Sequence, residues 1–320
     1  MPSSTLDDLL EAYTQVSVRN RAILEEFTLI AQRFHQQGTA FIVLKGADVL
    51  SRLYGVRGAR PLSDVDVLVH ESDLPTIDRE LRTLGFTQQI DGNPAYVSAE
   101  GTLSLDLITT LWYLDQQDLA SVWKRTRKRL VDGTTLSCLD TADLLIYLTA
   151  YNVIHRGHLS ASFVHDMKLL IEKEAPDWPV IVARTRRATL HVPLFHGLSH
   201  VVKTFPALPI PGSVLAMLGP TKRHEQRLAW LLRKLVTTEP LPEVGHLLLF
   251  LTQPNSNKMS WLKRRLFPSA TFLSYRYGPA GQLRPWKTRL SRVCHLTTAA
   301  LDLIRQVLHR LTTTPARGSL

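Results

Sequence analysis

Cysteine is nearly absent from this sequence, and the two that occur, Cys138 and Cys294, lie far apart. That count excludes a disulfide framework and a cysteine-based metal motif, and it fits a reduced cytoplasm. Long apolar runs are also missing. The most apolar stretches, residues 144–154 and 247–251, fall well short of the ~18 residues that a membrane-spanning helix needs. Residues 1–11 hold acids and no basic cluster, which excludes a secretory signal. Acidic residues become scarce halfway along: residues 161–320 carry 8 Asp+Glu against 23 Lys+Arg, whereas residues 1–160 carry 20 against 15. The formal net charge of +10 is therefore −5 in the first half and +15 in the second. Two readings of that basic half stay open: a polyanionic partner (nucleotide phosphates, nucleic acid or the inner membrane surface), or an ordinary solvated surface.

An apolar content of 44% is ordinary for a globular protein, and 320 residues point to about two domains. The stretch richest in chemistry is residues 41–106. It opens with Phe41-Ile42-Val43-Leu44, a short apolar strand closed by Lys45 and Gly46. Further on, Asp64-Val65-Asp66-Val67-Leu68-Val69 alternates, so a strand here puts Asp64, Asp66 and Leu68 on one face and the valines on the other. Carboxylates this close repel and raise one another's pKa unless a cation or proton lies between them. Oxygen-only ligands favour a hard ion such as Mg²⁺ or Mn²⁺. Asp106 stands in Leu103-Ser104-Leu105-Asp106-Leu107-Ile108, a strand context in which aspartate is depleted. A neighbouring strand can carry it to the same metal; an aspartate paired with a nearby arginine is the simpler alternative.

After Gly46, a helix over residues 47–53 aims its first amides at whatever occupies the turn, a natural phosphate site. Gly46 permits close backbone approach and Lys45 supplies positive charge, although a plain turn with a solvated lysine has the same pattern. Arg57 and Arg60 sit in the loop leading to the carboxylate strand. They can neutralise a triphosphate, or Arg60 can brace Asp64.

This ordered set resembles the nucleotidyltransferase superfamily typified by DNA polymerase beta, in which a strand ends in glycine, Asp-x-Asp follows on the next strand, and one acid stands on a later strand. It is more similar still to a bacterial branch of uncharacterised nucleotidyltransferases, matched here by Leu44-Lys45-Gly46, Tyr54, Arg60 and Asp64-Val65-Asp66-Val67-Leu68-Val69. The resemblance implies an α+β fold: a nucleotidyltransferase-like domain with a mixed sheet and flanking helices over residues 1–138, then a mostly α-helical, basic domain over 139–320. It implies transfer of a nucleoside monophosphate from an NTP such as ATP to an acceptor hydroxyl or phosphate, with release of pyrophosphate. Asp64, Asp66 and Asp106 would be the catalytic carboxylates and hold Mg²⁺ or Mn²⁺, while Lys45, Gly46, Arg60 and Ser63 would bind the NTP. Two departures stand out. Ala47 replaces the Gly or Ser usual after Gly46, and a histidine common just after the third carboxylate strand is missing, Thr109 standing near its place. They keep open a second function, a nucleotide- or partner-binding module without turnover. A third is a polyanion- or membrane-surface protein acting through the basic C-terminal half.

The remaining chain reads mainly as helix. A helix over residues 6–37, broken near 16–20, carries Leu9, Leu10, Tyr13, Ile23, Phe27, Ile30 and Phe34 as its apolar stripe. Residues 74–84 form another helix, followed by strands at 86–90, 95–98 and 102–108, the first two joined by a turn at 91–94. Asp132-Gly133 marks a hairpin turn after the basic cluster 124–129. Helices then cover about 141–155, 161–174, 178–189, 192–204, 222–236, 244–252 and 286–311. His155 and Asp166 recur in the branch named above; they can orient substrate or hydrogen-bond each other, the structural role being the preferred reading. The aromatic and basic stretch 261–267 precedes the last helix, which is basic and amphipathic, and residues 312–320 read as a frayed tail.

Overall fold

The computed structural model describes residues 3–90, 94–252 and 285–313, together with 258–259, 262–263, 266–267 and 273. The expected turn around 91–93, much of the aromatic and basic stretch 261–267 and the tail beyond 313 lie outside the described residues. The chain divides into two compact units, Met1–Leu144 and Leu145–Leu320, a few residues after the boundary read from the sequence.

The first unit opens with α1 (Ser3–Gln36). There follow β1 (Phe41–Val43), α2 (Lys45–Leu53), β2 (Val65–Val69) and α3 (Leu74–Thr83). Next come β3 (Thr87–Ile90), β4 (Pro94–Val97), β5 (Ser104–Ile108), α4 (Gln116–Lys124), β6 (Arg127–Val131) and β7 (Thr134–Cys138). The strands form one mixed seven-stranded sheet in the order β3-β4-β5-β2-β1-β7-β6. β2 runs parallel to β5 and β1 parallel to β7, while the other pairs are antiparallel.

The core of this unit follows from two periodicities. On α1, Ile23, Leu24, Phe27, Ile30, Ala31 and Phe34 recur at helical spacing and are buried. They join Val65, Val67 and Val69 from one face of β2 and Leu103, Leu105 and Leu107 of the β5 region. Phe41 receives Phe27 and Phe34 edge-on, with ring centroids 6.4 and 5.6 Å away. Burying each such ring stabilises the fold by about 1.5–3 kcal/mol. The expected break in α1 does not occur. Val16, Val18 and Asn20 are weak helix formers, but Asn20 is fully buried and bonded to another segment, so tertiary contacts override local preference. The N-terminal part of the expected stripe, by contrast, is exposed at Leu9, Leu10 and Tyr13.

The second unit contains most of α5 (Thr141–Thr149), a π-helical continuation Ala150–Arg156, and α6 (Ala161–Glu174). Further helices are α7 (Trp178–Arg187), α8 (His191–Thr204), α9 (Gly212–Leu218), α10 (Arg223–Leu235), α11 (Val244–Thr252) and α12 (Pro285–Thr313). The π-helical segment ends at Gly157, whose φ of 61° suits a residue without a Cβ. It packs directly on α11: a Cβ at Gly245 would overlap the carbonyl oxygen of His155. His155 itself is exposed and stacked on Tyr151, whereas Asp166 is buried within α6. Among the described residues, no helix is long and apolar enough to cross a membrane.

Candidate active site

Parallel pairing of β2 with β5 does the first part of the assembly. Its register sets Asp66 opposite Asp106. Asp64 precedes Asp66 by two residues, so the pleat returns it to the same side. One oxygen from each of Asp64, Asp66 and Asp106 lies within 4.8 Å of the others. Asp66 is buried at 6% exposure, while Asp64 and Asp106 are half-buried. Three carboxylates packed this closely need positive charge among them.

Lys45 provides some of it. The helix α2 starts at Lys45, two residues earlier than the sequence pattern predicts, so Lys45 and Gly46 form its first turn. The backbone of Lys45 has a φ of 20°, uncommon for a residue with a Cβ. Its side chain is not solvated: Nζ lies 2.5 Å from Asp66 Oδ2 and 3.4 Å from Asp64 Oδ2. Ser63 Oγ donates to the other oxygen of Asp64 at 2.6 Å. Leu44, the residue before α2, offers no side-chain cap, and its own N–H donates to Asp66 O at 2.9 Å, tying the helix start to β2.

Gly46 is also buried, and a Cβ there would stand 3.2 Å from Leu62 Cδ2 and 3.5 Å from Arg60 Nη1. Lys45, Gly46, Arg60, Ser63, Asp64, Asp66 and Asp106 are thus brought into one neighbourhood where β1, β2 and β5 meet α2. Arg57 is turned elsewhere and pairs with Asp132 of the β6–β7 turn.

A family model described as an uncharacterised nucleotidyltransferase matches residues 1–206. The chain belongs to that family. The match runs through the whole first unit and into the second as far as the residues just after α8. Among solved structures, this nucleotidyltransferase is similar to the lincomycin-bound lincosamide antibiotic adenylyltransferase LnuA, at 15% identity and a TM-score of 0.35, covering 46% of this chain and 94% of that one. It is also similar to an antigenic nucleotidyltransferase-like protein from Paracoccidioides brasiliensis, at 17% identity and a TM-score of 0.42, covering 62% of this chain and 93% of that one. Both scores lie below 0.5, and the family assignment rests on the family match. No curated protein matches the sequence.

Two features that position the candidate site are not evident in the sequence motifs. The first is Asn20 on α1, whose Nδ2 donates to the carbonyls of Arg57 and Arg60 at 2.5 and 2.7 Å and whose Oδ1 accepts from Leu62 N at 2.9 Å. One buried amide thereby fixes the loop that delivers Asp64. The second is the buried pair Asp48 and Arg52 on α2. Arg52 Nη1 lies 3.5 Å from Asp48 Oδ2 and donates to Leu139 O at 3.1 Å, while Nη2 donates to Thr141 Oγ1 at 2.8 Å. Burial pushes the Asp48 carboxyl up to about 6, against the pull of Arg52. Burial likewise drives the Cys138 thiol far above its ordinary range, which leaves it unsuited to be a nucleophile.

Proposed function

We propose that this nucleotidyltransferase moves a nucleoside monophosphate from an NTP to an acceptor hydroxyl or phosphate, using Mg²⁺ or Mn²⁺ held by Asp64, Asp66 and Asp106. The observation that carries the reading is the convergence of those three carboxylates within 4.8 Å. The donor set fits the ion: it is all oxygen and anionic, which suits a hard divalent cation and not a soft one. When bound, such an ion supplies charge that polarises the phosphate and lowers the pKa of the acceptor.

The residues divide the remaining work. Asp64 and Asp66 hold the ion, and the Ser63 hydrogen bond fixes how the Asp64 carboxylate is turned. Asp106 completes the set and takes the proton of an acceptor hydroxyl. The uncapped amides at the start of α2 meet phosphate oxygens, and Lys45 and Arg60 offset negative charge as it shifts towards the leaving group. Gly46 keeps that helix start free of a side chain. The acceptor oxygen bonds to the α-phosphorus as the bond to the β-phosphate oxygen breaks, and pyrophosphate leaves. Two free cysteines, one buried and one exposed, support a cytoplasmic setting.

The test is incubation with each α-labelled NTP and Mg²⁺ or Mn²⁺, with and without cell extract as a source of acceptors, while pyrophosphate is measured. Label transfer with matching pyrophosphate release supports the reading. Metal-dependent NTP binding without either product would instead identify a nucleotide-binding module.

A further inference from the structure

We infer that Lys45 and the divalent cation compete for the same carboxylates, so that the site takes up metal efficiently only when a nucleotide arrives to receive the displaced lysine. The inference rests on the proposed metal site and concerns how that site is loaded. Its basis is the position of the Lys45 ammonium, 2.5 Å from Asp66 Oδ2 and 3.4 Å from Asp64 Oδ2. The side chains of Lys45 and Asp66 are only 10% and 7% exposed, so neither charge is well screened by water.

An ammonium and a divalent ion drawn to the same carboxylates oppose each other. Mg²⁺ requires its ligand oxygens at about 2.0–2.1 Å and tolerates little distortion. An ammonium bonded to the same carboxylates stands roughly one atom's width away. Like charges this close repel strongly where water screens them poorly, and the repulsion doubles against a divalent ion. Binding of the metal therefore favours the departure of Lys45. Its flexible four-carbon stem permits that, but the departing charge needs a new partner.

The place for that partner is close by. Lys45 is the first residue of α2, beside amides that no side chain caps. A triphosphate seated at those amides supplies anionic oxygens to the released ammonium. The lysine thus has two stations, carboxylate and phosphate, and one ligand drives it from the first while the other holds it at the second. Metal and nucleotide then strengthen each other's binding, with Lys45 as the coupling element. At its carboxylate station the same ammonium offsets the repulsion of Asp64 and Asp66.

The experiment measures Mn²⁺ binding to the full chain without nucleotide, from the loss of the free-Mn²⁺ paramagnetic resonance signal. Wild type is compared with Lys45→Gln, Lys45→Met and the double variant Asp64→Asn/Asp66→Asn. Thermal unfolding is recorded for each in EDTA and in Mn²⁺, and the methionine variant, which keeps an apolar stem, guards against a packing defect in the glutamine variant. Both Lys45 variants are expected to bind Mn²⁺ roughly ten-fold or more tightly than wild type. They should also melt lower in EDTA and gain more from Mn²⁺. Folded Lys45 variants that bind Mn²⁺ no better than wild type, while the double variant loses binding, would leave the metal site standing and overturn the competition. Absence of Mn²⁺ binding in every protein, even with an NTP present, would overturn the metal site and the competition together.

Discussion

Asn20 shows how much of the site depends on a residue with no chemistry of its own. Its amide satisfies three backbone groups of the loop that precedes β2. Asn20→Ala leaves them without that partner; the bond from Leu62 N is buried, and orphaning such a group costs about 1–3 kcal/mol, while the two carbonyls, only part-buried, add less. We expect a loss of about 2–3 kcal/mol in urea unfolding, together with slower transfer because Asp64 follows this loop directly. The signal was present in the sequence: a polar residue stands three before Ile23 and seven before Phe27, on the stripe that becomes buried. Local propensity read it as a helix break, since propensity does not register a partner 40 residues away. Asp48 gives a second prediction at this scale. Its carboxyl holds a proton up to about pH 6 in the folded chain, against an ordinary value of 3.8. Between those values the native state binds more protons, so the contribution of Asp48 is fully present below 3.8 and is lost as pH rises through about 6. In paired urea titrations, wild type should lose stability relative to Asp48→Asn over that window and run parallel to it above. Parallel curves throughout would show that Asp48 is not the titrating group.

The two strands that carry the candidate carboxylates are legible because Asp64, Asp66 and Asp106 alternate there with buried apolar residues. Asp64-x-Asp66 and the strand around Asp106 showed which side chains share a face, and β2 beside β5 brings those faces together. α2 starts two residues before the point its sequence marks, because Leu44 offers no cap and the helical pattern is visible only from Ala47 onward. Neither the parallel pairing of β1 with β7 nor the short helix α9 was marked, the first because the pairing is non-local and the second because prolines precede it. Nothing in the sequence of Ala150–Arg156 separates this π-helical segment from ordinary helix. Its packing on α11 can be tested through Gly245, where any side chain meets the His155 carbonyl. Backbone is harder to displace than a side-chain tip, so Gly245→Ala should cost about 1–3 kcal/mol or more. Unfolding of α11 and the π-helical segment, followed by hydrogen exchange, should show the loss concentrated there.

At the scale of the whole chain, the sequence placed a basic helical region after an α+β domain, and the family match spans parts of both units. The division between the units falls within α5. Leu139 and Thr141 receive Arg52, and Asp143 pairs with Arg125, so the first unit draws on residues beyond β7. A fragment of residues 1–138 lacks all three partners, whereas 1–149 keeps them with α5. We expect the longer fragment to melt at least about 5 °C higher by circular dichroism; equal melting would show that these contacts do not hold the unit together. The proposed transfer depends on the three carboxylates acting as one site. The most direct measurement is transfer of label from an α-labelled NTP, in saturating Mg²⁺, by wild type and by Asp64→Asn, Asp66→Asn and Asp106→Asn singly, each confirmed folded. Each substitution is predicted to lower transfer by roughly a hundred-fold or more, whereas a folded variant that transfers label at near the wild-type rate would contradict the shared site.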